Sequence, residues 1–208
     1  MASTRRIGKE SSKTRALLLD ATQELMLAEG YAAVSSRRVA ATAEVKPALV
    51  HYYFPTMDDL FVALFRQGAE RSMERYAQAA ESSRPLRAIW NLSKEQPGSV
   101  LLMEFAALSR HRPAVRSEMA AYARRFRKME LRTVRRVLEH HEIDPSVITA
   151  EAVVLLMTGL SLTLTLEREL GLSTGHKQAV ALVEGLLLEY EPEPPASSAS
   201  LQEATVGS

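Results

Sequence analysis

Two clusters in the chain have the residue types that chemistry needs. His140-His141 followed by Glu142 supplies two imidazoles and a carboxylate, a metal-binding set by type alone. Adjacent residues on a helix point about 100° apart. No third ligand stands at a regular spacing, so the trio reads as a helix end with histidines at the negative pole of the dipole. His111 and His176 fall beside helix ends, and no ligand role is expected for either. The second cluster is basic. Arg124, Arg125, Arg127, Lys128, Arg132, Arg135 and Arg136 share one predicted helix, and over residues 118–136 only Glu118 and Glu130 oppose them. Such a run is expected to be a solvated face with ion pairs. The alternative is that one or two arginines turn inward to hold an acidic effector, a carboxylate or an acyl thioester, through the bidentate guanidinium fork. The sequence has no Gly-rich phosphate loop, nucleophile elbow or H-E-x-x-H motif. It has no cysteine, which excludes disulfides, thiolate nucleophiles and cysteine-ligated zinc. No metal, cofactor or catalysis is expected.

A third constellation points to nucleic acid. Residues 30–60 read GYAAVSSRRVAATAEVKPALVHYYFPTMDDL. They hold two short helices joined by a tight turn near Glu44. Ser35 is a capping residue for the first, over about Ser36–Ala43. Pro47 opens the second, which runs to about Phe54 and ends at Pro55. That layout is a helix-turn-helix, whose second helix lies in a major groove with its first residues at base edges. Ala48, Leu49, His51, Tyr52 and Tyr53 would be presented there, and small or aromatic residues suit contact with thymine methyls. Arg37, at the start of the preceding helix, would reach a guanine edge or a phosphate. Val39, Val45, Val50 and Phe54 are assigned to the core.

Helical spacing extends over nearly the whole chain, and period-2 strand patterns with Asn-Gly or Asp-Gly turns are absent. Leu17, Leu18, Ala21, Leu25 and Ala28 mark a first helix, stopped by Gly30. Thr56 caps a long helix to about Ser82, with Asp58 and Asp59 at its positive pole. A helix from Pro85 is expected to break at Pro97-Gly98, and the next spans about Ser99–Ser109. Pro113 starts a long one, ended by Asp144-Pro145. The last two span about 148–170 and 175–190, with Gly171 between them and Ser173 or Thr174 capping the second. The fold class is therefore all-α, with about nine helices.

On these residues the chain resembles the TetR (tetracycline-repressor) family of bacterial regulators. Ala28-Glu29-Gly30-Tyr31 matches the end of the family's first helix. Val39-Ala40-Ala41, then Ala43-Glu44-Val45, match its second helix and turn. Val50 through Thr56 match its recognition helix and YF-turn, and Asp58-Asp59-Leu60 match the acidic start of its fourth helix. The resemblance covers roughly residues 12–65. It implies DNA contacts at Ser36, Arg37, Lys46, Ala48, Leu49, His51, Tyr52 and Tyr53. Of these, Ser36, Lys46, His51 and Tyr53 are expected at phosphates, which fix register. Arg37, Ala48, Leu49 and Tyr52 are expected at base edges, which specify sequence. The sequence departs from the family pattern at several places. Glu44 replaces the usual turn glycine, so a strained or altered turn is expected. Lys46 stands where a serine cap is common, Leu49 where a small polar residue is, and His51 and Met57 where a phosphate-binding Tyr and Lys are.

The resemblance further implies an N-terminal three-helix DNA-binding domain over residues 12–58 and a larger effector-binding and dimerisation domain over 59–190. Candidate pocket residues are Trp90, Met103, Phe105, Tyr122, Phe126, Met157 and Thr163, though aromatic and Met residues at helical spacing are commonly plain core. The last two helices carry a second apolar face with Leu155, Leu162, Leu166, Val180, Val183 and Leu187. Such a face marks an interface, and two helices from each subunit would form a two-fold four-helix bundle.

Length and charge agree with this division. The chain has 208 residues, 46% hydrophobic, and a net charge of +1. Residues 1–15 nevertheless carry Arg5, Arg6, Lys9, Lys13 and Arg15 against Glu10 alone, whereas residues 186–208 carry Glu189, Glu191, Glu193 and Glu203 with no base. Residues 1–11 are expected as a basic disordered arm and 191–208 as a disordered Pro/Ser-rich tail. The stretch Ala152–Leu166 is judged too short and too interrupted to span a bilayer, and no secretory signal is read at the start. The expected partners are a double-stranded DNA operator, a second copy of the chain and an unidentified small-molecule effector, with no membrane, in the cytoplasm. The expected function is that of a ligand-relieved repressor on a palindromic operator. The rival is a helical small-molecule-binding bundle or enzyme that binds no operator.

Overall fold

Caps and breakers set the helix boundaries. The computed structural model describes residues 2–94 and 96–192, and over them the chain forms nine α-helices and no strand. These are α1 (Ala2–Glu29), α2 (Ser36–Thr42), α3 (Pro47–Tyr53), α4 (Met57–Ala80), α5 (Pro85–Ser93), α6 (Gln96–Ser109), α7 (Pro113–His140), α8 (Ala150–Glu169) and α9 (His176–Tyr190). Gly30 ends α1 at φ +79, a left-handed value that costs glycine nothing, and a short 3-10 turn over Tyr31–Ala33 leads on to α2. The Ser35 hydroxyl accepts the Arg38 N–H at the start of α2. Thr56 and Asp59 form a reciprocal capping box at α4: the Asp59 N–H donates to Thr56 Oγ1 at 3.1 Å, and the Thr56 N–H donates to Asp59 Oδ2 at 2.9 Å. Thr149 caps α8.

Several boundaries differ from the sequence reading. The backbone is helical from Ala2, so the segment expected as a disordered arm continues α1. The break between α5 and α6 falls after Ser93, and Pro97 and Gly98 lie in the first turn of α6. Proline there removes only an N–H that the helix leaves unbonded anyway. Gly175, at φ +84, occupies the start of α9, and neither Ser173 nor Thr174 caps it. Of the tail, residues 193–208 lie outside the described residues. Glu191 does not belong to a solvated tail: it is buried.

Two apolar cores hold the helices. The first gathers Leu18, Leu19, Leu25 and Met26 of α1 with Val39, Val50 and Phe54, and extends through Leu60, Phe61, Leu64 and Phe65 of α4 to Phe105, Leu108 and Val115. The second gathers Leu86 and Trp90 of α5, Val134 and Val137 of α7, Val154 and Leu164 of α8, and Leu187 of α9. Helix α4 packs on both α1 and α7, so it joins the front of the molecule to the body. Polar ties reinforce that junction. The Tyr31 N–H donates to Glu104 Oε2 of α6 at 2.7 Å. Arg112 pairs with Asp58 and lies over the Phe61 ring.

Helix α8 is long and apolar enough to cross a membrane by length and composition, where the sequence reading judged the stretch too short. Its packing gives the apolar residues another purpose. Val154 and Leu164 are in the second core, and the Ser161 hydroxyl donates to the Ser93 carbonyl of α5. Leu155, Leu156 and Leu166 remain uncovered.

Candidate nucleic-acid interface

The turn between α2 and α3 is built by three backbone bonds. The Ala43 N–H donates to Val39 O at 2.9 Å, the Glu44 N–H to Ala41 O at 3.2 Å, and the Val45 N–H to Ala40 O at 2.9 Å. Closing them puts Glu44 at φ +54, the left-handed conformation expected for the residue that stands in place of a glycine. Helix α3 then starts at Pro47, with Lys46 as an N-cap that makes no side-chain cap bond. Val50 and Phe54 are buried and pin α3 to the first core, while Val45 is half-buried against it. Arg15 of α1 lies over the Phe54 ring at 5.3 Å.

That anchoring decides which side chains face outward. Arg37, Lys46, Ala48, His51 and Tyr52 are exposed, Tyr52 at 75%. Ser36, Leu49 and Tyr53 are half-buried. The Tyr53 ring packs against the first core and meets the Tyr52 ring edge-on, with centroids 5.0 Å apart. The eight residues thus lie along α2, the turn and α3, on one surface with a buried floor. The two adjacent arginines divide their work. Arg38 pairs with Glu29 and donates to the Ala33 carbonyl at 3.3 Å, so it braces α2 against α1. Arg37 has no ion pair among the described residues and remains available to an anion. The α3 start has no side-chain cap, and Lys46 beside it is exposed, a cation placed to meet a phosphate.

Behind this surface, the body encloses a cavity of about 700 Å³ between α4, α5, α6, α7 and α8. Phe105, Tyr122, Phe126 and Met157 line it, as expected of pocket residues. Trp90 does not: it is fully buried in the second core. Met103 and Thr163 also lie outside the lining. Leu162, expected at a subunit interface, is on the cavity wall. The polar lining includes Ser72, Arg75, Tyr76, Arg127, Glu130 and Thr158. Arg127 is thus the inward arginine of the basic run, and its Nε stands 3.3 Å from Glu130 Oε2. Burial pushes the Glu130 carboxyl up to about 7, opposed by the Arg127 charge and a hydrogen bond with Thr158. Sequence reasoning missed Glu130 as a site residue. The signal was present: Tyr122, Phe126, Glu130 and Val134 recur every four residues, which puts one acid inside an apolar stripe.

The uncovered face on α8 and α9 differs in part from the expected one. Leu155 and Leu166 are exposed, together with Leu170, Leu182 and Leu186. Val180 and Val183 pack against the chain's own second core, and Leu187 is buried within it. Gly159 and Gly185, on the same two helices, have nothing within 4 Å of where a Cβ would stand. Among the described residues, no group of three or more His, Asp or Glu is placed to hold a metal. His141 stacks edge-on with Tyr190, and His176 Nε2 stands 2.6 Å from Glu167 Oε2.

Comparison with known proteins bears on these surfaces. Residues 18–64 match the family model described as bacterial regulatory proteins, tetR family. No curated protein matches the chain. Among solved structures, the chain is similar to a transcriptional regulator from Rhodococcus sp. Rha1, at 19% identity and a TM-score of 0.66 over 87% of this chain and 99% of that one. It is also similar to a TetR transcription regulator from Haloarcula marismortui, at 20% identity and a TM-score of 0.64 over 86% and 97%. A third is NalD of Pseudomonas aeruginosa, the secondary repressor of the MexAB-OprM multidrug efflux pump, at 22% identity and a TM-score of 0.56 over 87% and 96%. At these identities the likeness concerns the fold. The match over residues 18–64 coincides with the anchored α2–α3 surface, so this segment is similar to the DNA-binding part of the bacterial regulatory proteins of the tetR family.

Proposed function

We propose that the protein is a ligand-relieved repressor that reads a palindromic operator as a two-fold dimer and catalyses no reaction, acting in the cytoplasm beside its DNA. The observation that carries this reading is the outward face of α3, whose Tyr52 is 75% exposed while Val50 and Phe54 fix the helix from beneath. In the complex, Ser36, Lys46, His51 and Tyr53 hold phosphates, and Arg37, Ala48, Leu49 and Tyr52 meet base edges. Residues 12–58 act as the reading head, and 59–190 as the effector-binding and dimerising body.

The uncovered leucines of α8 and α9 support the dimer. Two copies joined there would hold their α3 helices at a fixed separation, which an inverted repeat with matching half-site spacing satisfies. The cavity supports the ligand response. Helix α6 lines it with Leu101, Leu102 and Phe105, and on the same helix Glu104 binds the Tyr31 N–H of the head. A ligand that favours one placement of α6 therefore also favours one placement of the heads, and DNA is released if that placement does not fit the operator.

The test is selection of bound sequences from a random duplex pool at two salt concentrations. An inverted repeat, bound with an affinity that falls steeply with salt, is the expected result. Recovery of no motif at either concentration would overturn the reading of α3 as a sequence reader.

A further inference from the structure

The corner that joins α6 to α7 carries a run of bases that the reading of α3 leaves unused. Residues 109–116 read SRHRPAVR, with Arg110, His111, Arg112 and Arg116 and no acid. The corner is tight. The His111 N–H donates to the Leu108 carbonyl at 3.0 Å and the Arg112 N–H to the same carbonyl at 3.1 Å, and Pro113 opens α7 at once. Both flanks are anchored. Leu108 of α6 and Val115 of α7 are buried in the first core, the same core that holds Val50 and Phe54. The corner therefore belongs to the body by sequence and to the head by packing.

Its arginines divide in two. Arg112 fixes the corner: its guanidinium pairs with Asp58 in the first turn of α4 and lies over the Phe61 ring at 5.3 Å. Arg110 and Arg116 are exposed and have no ion pair among the described residues. The acids that border them are already engaged. Asp58 is taken by Arg112, Asp59 by the capping box with Thr56, and Glu118 by Arg66 at 2.6 Å. Two guanidinium groups thus stand without a counter-charge on a rigid corner. Their planar forks suit phosphate oxygens.

The corner borders the reading surface. Only Phe54, Pro55 and Thr56 separate α3 from α4, and the pair of Arg112 with Asp58 sets the corner beside that turn, next to His51, Tyr52 and Tyr53. A helix seated in a major groove about 12 Å wide has a phosphate strand along each flank. We infer that Arg110 and Arg116 form a second phosphate contact, supplied by the body at the edge of the α3 surface, so that both parts of the chain hold the duplex. This rests on the reading of α3 as the DNA-facing helix. Neither arginine falls within residues 18–64, so the contact lies outside the segment that matches the family model. Phosphate contacts carry no sequence information, so this one sets affinity and orientation and leaves base choice to α3.

The experiment measures the affinity of the full chain, by fluorescence anisotropy over a series of salt concentrations, for two duplexes of equal length. One is the duplex most enriched from the random pool, and the other is its scrambled sequence. In the double variant Arg110→Ala with Arg116→Ala, affinity for both duplexes is expected to fall by the same factor, at least about tenfold at low salt. The slope of log affinity against log salt is expected to shrink by about two per chain bound. Arg110→Lys with Arg116→Lys is expected to keep the parent slope. Both positions are exposed, so the helical dichroism of each variant is expected to match the parent. An unchanged slope in the alanine variant, a loss confined to the enriched duplex, or an equal loss of slope in the lysine variant would each overturn the inference. The reading of α3 is judged on the parent chain. A parent that binds both duplexes alike, with a slope that shrinks in the alanine variant, keeps the inference and loses the sequence reader. A parent that prefers the enriched duplex, with a slope indifferent to both arginines, loses only the inference. A parent that binds neither duplex loses both.

Discussion

Glu44 occupies a backbone conformation that L-residues with a Cβ adopt at a cost of roughly 1–2 kcal/mol. Glycine adopts it freely but loses more entropy on folding. Glu44→Gly is therefore expected to raise stability by about 0.5–1 kcal/mol in urea denaturation, and a decrease would show that the Glu44 side chain supports the turn. This residue was legible beforehand through the resemblance, because Glu44 stands where the family pattern has a turn glycine. Tyr52 was legible for a different reason: assigning Val50 and Phe54 to the core leaves it on the opposite side of α3. Tyr52→Ala is expected to abolish sequence-specific binding in a mobility-shift assay, at about 1–3 kcal/mol per lost base contact, with the helical dichroism unchanged. Glu130 makes a different prediction. Its carboxyl titrates near 7 when folded and near 4.5 when exposed, so its neutral form is favoured by folding. The contribution is fully present below pH 4.5 and is lost as pH rises through 7. Glu130→Gln removes that dependence. The stability of the variant relative to the parent is expected to rise by up to ~3 kcal/mol between pH 5 and pH 8, and a flat difference would contradict the burial argument.

Helix ends were read well where the signal is local and poorly where it is distant. Ser35, Thr56 and Pro47 act within four residues of themselves, and each does what its type implies. The start of α5 could not be read this way. Its Leu86 and Arg87 N–H groups each donate at 2.8 Å to the carboxylate of Glu191, more than a hundred residues along the chain. The Arg84 Nε donates at 2.9 Å to the Glu191 carbonyl as well. Glu191 looked like the first residue of an acidic tail because local composition carries no record of a partner so far away. It acts as the N-terminal cap of α5 and ties the end of α9 to it. Glu191→Ala leaves one buried and one half-buried donor without this acceptor, and is expected to lower stability by about 1–3 kcal/mol in thermal or urea melts. A loss below a few tenths would mean that water replaces the carboxylate without penalty.

For assembly, the sequence pattern singled out α8 and α9 as candidate interface helices, and packing divides their apolar residues. Periodicity shows that α8 and α9 each bear two apolar faces, yet it cannot say which face the chain itself covers. Packing assigns Val180, Val183 and Leu187 inward and leaves Leu155, Leu166, Leu182 and Leu186 outside. Leu155→Glu with Leu186→Glu is expected to give monomers in sedimentation while the fold persists, since neither side chain contributes to a core. Val183→Glu is expected to destabilise the body instead. A persistent dimer in the double variant would place the contact elsewhere.

Phe105 has a consequence for how the protein comes apart. Its ring lies in the first core, edge-on to Phe65 at 5.2 Å, and it also forms part of the cavity wall. The head cannot melt without uncovering the core that backs that wall, and the body cannot open without exposing the core it shares with the head. Heating should thus produce one calorimetric transition rather than two, despite the division into front and body. A molecule that fills the cavity should then raise the melting temperature of α2 and α3, which it never touches, as much as that of the helices around it.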